Sequence, residues 1–132
     1  MIVVDCSALV HALAHLGDAG RDARSRLTDD PHWIAPDILT LEVVSSLRGQ
    51  ALGRKLTEET ALSALAEFRA MDISTYPTRP LIGRIWELRD NLSAYDAAYV
   101  ALAEAEDCAL VTRDARIAKA PGTRCRIEVL GA

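Results

Sequence analysis

Apolar residues follow two rhythms along this chain: short continuous runs, and longer stretches in which they recur every three or four positions. Ile2-Val3-Val4 reads as a buried strand, and Ala8, Leu9, Ala12, Leu13 and Leu16 then repeat at helical spacing as far as Gly17. The polar stretch from Asp18 to Asp30 predicts a second helix, and Trp33-Ile34-Ala35 a short strand ended by Pro36. Ile38, Leu41, Val44, Leu47 and Ala51 form one helical stripe up to Gly53, and Thr57-Glu58-Glu59 has the form of a capped helix start. Asp72 to Tyr76 predicts a brief strand, and Leu81, Ile82, Ile85, Trp86 and Leu88 an amphipathic helix. The clearest helix is Ser93 to Glu106. There Ser93 with Asp96 resembles a capping box in which Asp replaces Glu or Gln, and Ala97, Val100, Ala101 and Ala105 line one face. Cys108 to Val111 and Ile127 to Val129 complete the series as strands.

Strands alternating with helices predict right-handed crossovers and a mostly parallel central sheet covered on both faces, a three-layer α/β/α sandwich. Half of the 132 residues are apolar, enough for one continuous core, and no repeat or linker interrupts them, so residues 1–132 are expected to form a single domain. In open sheets of this kind ligands gather beyond the carboxyl ends of the strands, where the strand order reverses. Asp5 directly follows the first strand and Asp114 closely follows Val111, so both are expected at that edge.

Composition narrows the partners. A formal charge of -4 argues against a general nucleic-acid coat protein, which would rest on surplus Lys and Arg. A local basic surface is still available, because Arg113, Arg116, Lys119, Arg124 and Arg126 crowd the last twenty positions. Three cysteines, Cys6, Cys108 and Cys125, without a Cys-x-x-Cys spacing suggest neither a disulfide framework nor a thiolate zinc site, and fit a reducing cytoplasm. No signal peptide and no membrane-spanning segment is expected.

The chemistry lies in the acids. Glu42 falls in a mostly apolar helical window, where a carboxylate needs compensation, and Asp96 occupies the first turn of its helix, where the positive end of the dipole favours an anion. Singly, Asp5 would serve as a turn residue, and Asp96 and Asp114 as helix caps. Together, four close carboxylates repel one another and raise their own pKa values unless a cation neutralises them. An all-oxygen ligand set selects magnesium or manganese over zinc. His11 and His15 are four apart on one helix face, but lack the carboxylate of a metalloprotease pattern.

Ile2-Val-Val-Asp5-Cys-Ser7-Ala-Leu-Val, the helix carrying Glu42, Leu92-Ser-Ala-Tyr95-Asp96-Ala-Ala-Tyr99-Val-Ala-Leu-Ala-Glu104, and Leu110-Val-Thr112-Arg-Asp114 together resemble the PIN-domain family, and within it the VapC ribonuclease toxins. The resemblance covers essentially the whole chain in order, and the Tyr95-Asp96 segment is its most specific part. It implies a metal-dependent endoribonuclease using Mg2+, with Mn2+ as substitute, that acts on an RNA substrate, is held in check by a small VapB-type antitoxin and forms a homodimer. Asp5, Glu42, Asp96 and Asp114 match the acidic metal-binding positions of that family, and Ser7 and Thr112 match hydroxyl positions beside them. Some relatives carry a further acid where this chain has Ser93, which leaves one metal ion or two open.

Arg113 and Arg116 flank Asp114 and are candidate guides for the RNA backbone. Trp33, Trp86 and the stripe from Ile38 to Leu47 offer apolar surface for an antitoxin segment. Two other classes of function compete. A phosphoacceptor receiver or aspartyl phosphatase also places an Asp after a parallel strand, but Asp5-Cys6-Ser7 lacks its second acid, and Lys119, the only late lysine, follows a helix start rather than a strand. A noncatalytic interaction module would keep the fold without needing all four acids.

Overall fold

The computed structural model describes residues 1–131. Its centre is a five-stranded sheet of β1 (Ile2–Val4), β2 (Trp33–Pro36), β3 (Ile73–Tyr76), β4 (Ala109–Thr112) and β5 (Ile127–Val129) in the order β3-β2-β1-β4-β5. Every pairing is parallel, with Val3 beside Ile34 on one flank and Leu110 on the other. Strands this short survive because they are buried: Val3, Val4, Ile34, Leu110 and Val111 are fully inaccessible. The chain winds outward from β1 to β3 and then returns to place β4 on the opposite side of β1. The switch in strand order therefore falls between β1 and β4, where a crevice opens at their carboxyl ends.

Helices α1 (Cys6–Ala14), α2 (Asp18–Thr28), α3 (Leu39–Leu52), α4 (Glu58–Ala70), α5 (Ile82–Glu87), α6 (Ala94–Ala105) and α7 (Ala115–Lys119) flank the sheet as an α/β/α sandwich. α6 is the most deeply set, packing across β1, β2 and β4 with Ala97 through Ala103 all buried. The run of small alanines lets its backbone approach the strands closely. α1 packs against α2, α3 and α4. At the end of α1 the carbonyl of His15 lies 1.7 Å from where a Cβ on Gly20 would sit, so only glycine admits this approach of α2. The Nη1 of Arg24 then donates to the Ala12 carbonyl at 2.7 Å and satisfies an otherwise open helix end.

Tertiary packing revises three expectations. The buried stripe of α3 is Leu39, Val43 and Leu47, whereas Leu41 is 76 % and Val44 43 % exposed, so the helix is rotated about its axis relative to the stripe read from sequence. Both stripes obey helical spacing because apolar residues surround much of this helix. α1 stops at Ala14 and leaves Leu16 exposed. The segment from Leu81 to Leu88 forms one 3-10 turn (Arg79–Leu81) and the short α5, with only Leu88 buried; Ile82 and Trp86 face solvent, and Arg89 stacks on the Trp86 ring at 4.6 Å. Pro36 closes β2 as expected, in register with Tyr76. Among the described residues no helix is long and apolar enough to cross a membrane.

Candidate active site

Asp5 leaves β1 in an extended conformation and caps α1, its Oδ1 accepting from the Ala8 N–H at 3.0 Å. Ser7 Oγ donates to the same oxygen at 2.7 Å, and Thr112 Oγ1, from the end of β4, donates to Oδ2. Thr112 and Asp5 are thus joined across the β1–β4 switch although 107 residues separate them. The two hydroxyls also accept from the following loop, Ser7 Oγ from the Arg113 N–H at 2.9 Å and Thr112 Oγ1 from the Asp114 N–H at 3.0 Å. Ser7 and Thr112 therefore orient the Asp5 carboxylate and the loop that carries Asp114.

Asp5 is only 5 % exposed. Burial raises its carboxyl above the usual range, hydrogen bonds from Thr112, Ala8 and Ser7 oppose the rise, and the charge of Asp96 adds to it. Glu42, half-buried in the first turn of α3, is likewise raised by burial; the Tyr99 hydroxyl, which donates to its Oε1 at 2.6 Å, pulls the other way, and Asp96 and Asp5 push it further up. Asp96, capped through its N–H by Ser93 Oγ at 3.1 Å, is raised by burial and then by Asp114. Three acids from three different elements thus share one electrostatic neighbourhood, in which Arg116 only partly offsets the rise at Asp96.

Asp114 stands apart. It caps α7 by accepting from the Arg116 N–H, and the Arg116 guanidinium grips both of its oxygens at 3.0 and 2.7 Å, which holds its carboxyl below the usual range. Among the acids its coupling is to Asp96. Arg113 contacts α1 instead of Asp114. Its backbone braces Ser7, while its guanidinium donates to His11 Nδ1 on α1 at 2.6 Å and packs beside Gly131. Among the described residues no three His, Cys, Asp or Glu side chains enclose a common ion position as they stand.

Two residues at this site drew no role from sequence. Tyr99 holds Glu42, and its place one turn after Asp96 on the same side of α6 was the available signal. Cys6 sits beside the acids, but burial, with Glu42 and Asp5, pushes its thiol up to about 12, so it stays protonated and is no nucleophile.

An all-parallel sheet whose strand order reverses between β1 and β4, with Asp5 at that reversal, defines a doubly wound α/β protein. The PIN domain family model matches residues 2–122, and the chain belongs to that family. It is 42 % identical over 130 residues to the VapC ribonuclease Mb0985 of Mycobacterium bovis, covering 98 % of both chains. It is 41 % identical over 129 residues to ribonuclease VapC1 of Mycobacterium tuberculosis, covering 97 % of this chain and 96 % of that one. Among solved structures, VapBC2 from Rickettsia felis bound to a promoter DNA fragment shares the fold with a TM-score of 0.70 at 17 % identity, over 98 % of this chain and 99 % of that one. The sarcin-ricin loop cleaving toxin VapC20 of M. tuberculosis does so with a TM-score of 0.69 at 16 % identity, over 94 % and 97 %.

Proposed function

We propose that this protein is a metal-dependent endoribonuclease and the toxin of a toxin-antitoxin pair acting in the cytoplasm. The observation that carries the reading is that Asp5 is tied to Thr112 across the β1–β4 switch and Glu42 to Tyr99 one turn after Asp96, with burial and then the charge of Asp96 raising the pKa values of Asp5 and Glu42. Relatives spanning nearly the whole chain and named ribonucleases support it.

The donors are all carboxylate oxygens, and their mutual repulsion is what a divalent cation relieves, so they fit Mg2+ or Mn2+. Asp5 and Asp96 would hold the ion, with Asp114 joining them and Glu42 holding the attacking water or a second ion. Such an ion polarises a phosphoryl oxygen and lowers the pKa of a nearby water. Ser7 and Thr112 keep Asp5 in one orientation, and Tyr99 does the same for Glu42. With its pKa already raised, Glu42 is suited to take a proton from the water attacking phosphorus in line. Arg116, the side chain of which is 88 % exposed, would meet a backbone phosphate if it released Asp114 to the ion. Arg113 supports that loop from behind through His11.

Water attacking phosphorus in line with the 3′-oxygen breaks the P–O3′ bond, the 3′-oxygen leaves with a proton from solvent, and the ends are a 5′-phosphate and a 3′-hydroxyl. The test is cleavage of single-stranded RNA with Mg2+, with Mn2+ and without metal, using Asp5→Asn as control. Cleavage without metal, cleavage by Asp5→Asn, or 2′,3′-cyclic phosphate ends would each reject the reading.

An apolar groove of about 760 Å³ lined by Leu39, Val44, Leu62, Leu65, Phe68 and Met71 of α3, α4 and the turn after α4 supports a helical antitoxin segment as partner, and it takes in part of the expected Ile38–Leu47 stripe. Trp33 is occupied internally, its Nε1 donating to the Leu27 and Asp30 carbonyls. A homodimer is the second assembly proposed. Failure to co-purify with the product of the adjacent operon gene, and a monomeric mass at all concentrations, would count against the two assemblies.

A further inference from the structure

The start of α6, from its cap Ser93 to Tyr99, contains one prominent side chain with no role in the site as described. Tyr95 is 63 % exposed in the first turn of α6, directly before Asp96 and ahead of the buried run Ala97 to Ala103. Tyr95 and Tyr99 are four residues apart and so share a face of α6. Tyr99 on that face reaches Glu42, and Asp96 beside it is coupled to Asp5, Glu42 and Asp114. The Cα–Cβ bond of a helical residue tilts towards the N-terminus, so Tyr95 extends from the first turn of α6, one turn before the Tyr99–Glu42 contact and next to Asp96. Arg116, bound to Asp114 through its guanidinium, acts on the same Asp96: its charge lowers that carboxyl even as burial raises it. The surroundings of Asp96 thus include an exposed aromatic ring on α6 and an exposed guanidinium held on Asp114.

Those three chemistries match one nucleotide unit: a base for the ring, a phosphate for the guanidinium, and a scissile phosphodiester for the acids. We infer that Tyr95 is a stacking platform for the nucleobase adjoining the scissile phosphate, and that it selects single-stranded RNA because only an unpaired base can lie on its ring. The inference rests on the ribonuclease reading above and extends it to the substrate contact. Stacking uses the ring face and not the hydroxyl, and every base has such a face, so the contact favours unpaired strands without fixing one sequence.

The test compares wild type, Tyr95→Phe, Tyr95→Leu and Tyr95→Ala on a single-stranded RNA in Mg2+, and on versions carrying an abasic ribose on either side of the cleaved bond. Leu and Ala should raise KM about tenfold with kcat little changed, while Phe stays within about twofold of wild type. An abasic ribose at one flanking position should cost the wild type the same factor and abolish the difference between variants. Wild-type KM in the Leu and Ala variants, a Phe variant as poor as Ala, or a difference that survives both abasic positions overturns the inference. So does loss of the Mg2+-induced thermal shift in Tyr95→Ala, which would make the residue structural. Should the wild type cleave no RNA, the ribonuclease reading fails separately. Binding of the same RNA, followed by fluorescence anisotropy with calcium as the ion, then judges the stacking contact: about tenfold weaker binding by Tyr95→Ala upholds it, and equal affinity refutes it.

Discussion

Replacing Asp5 by Asn removes one charge from the acidic cluster and changes almost nothing in shape. In the metal-free protein the ionised carboxylate is unfavourable on balance: burial and Asp96 outweigh the hydrogen bonds from Thr112, Ala8 and Ser7. An asparagine Oδ1 keeps the Ala8 contact, and its amide can donate to whichever hydroxyl rotates to receive it. The loss is limited to the charged character of those bonds, on the order of 1 kcal/mol, against the relief of desolvation and repulsion. The metal-free variant should therefore be as stable as wild type or more so. A ligand that binds only the folded state adds RT ln(1 + [L]/Kd), about 2.7 kcal/mol at a hundredfold excess over Kd. For a chain of 132 residues that corresponds to a rise in Tm of about 10 °C. Thermal melts with and without Mg2+ should show this rise in wild type and none in Asp5→Asn, with RNA cleavage lost in parallel. A variant that melts lower without metal yet keeps its metal-induced shift would refute the reasoning, because Asp5 would then be a cap and nothing more.

Tyr99→Phe removes the donor to Glu42 and leaves a half-buried carboxylate short of a charge-assisted bond; it should cost about 1–2 kcal/mol and move the Glu42 pKa up, read by denaturant melts and carboxyl NMR titration. Asp5, Glu42 and Asp96 all have raised folded pKa values, so their contribution is fully present below the unfolded values near 4 and is lost as pH rises through the folded ones. Metal-free stability should accordingly show a carboxylate-dependent decline on that rise, and Mg2+ should suppress it; a decline unchanged by the ion would contradict the assignment. Glu104 behaves oppositely: burial raises it, but the Arg84 guanidinium at 2.6 Å and the Arg124 N–H outweigh that, so its contribution exists above the unfolded pKa and disappears as pH falls through the folded one. Glu104→Gln should cost about 1–2 kcal/mol near neutrality and less in acid, checked by urea melts across pH. Leu47→Ala, at a position 1 % exposed, should cost about 2–5 kcal/mol, whereas Leu41→Ala on the outer face of α3 should leave stability within about 0.5 kcal/mol, a contrast that tests the orientation of the helix.

Local chemistry is written directly in the chain. The run Ile2-Val3-Val4 can only be a buried strand, and Ser93 before Asp96 starts a helix because a hydroxyl at that spacing caps an open N–H. The order of strands and helices then limits the sheet to a parallel, doubly wound form, which places Asp5 and Asp114 at one edge before any coordinate is known. What the sequence does not encode locally is rotation and pairing. α3 is apolar on most sides, so its period leaves open which residues turn inward; packing against α1 and α4 buried Leu39, Val43 and Leu47 and left Leu41 outside. The same holds for the partners of the acids. Tyr99 meets Glu42 across 57 residues and Thr112 meets Asp5 across 107, contacts that exist only once the sheet has closed. Arg113 and Arg116 read alike in sequence as basic neighbours of Asp114, yet one guanidinium is drawn to His11 on a distant helix while the other folds back on Asp114. Charge and spacing nominated the residues of the site, and long-range packing decided which of them face one another.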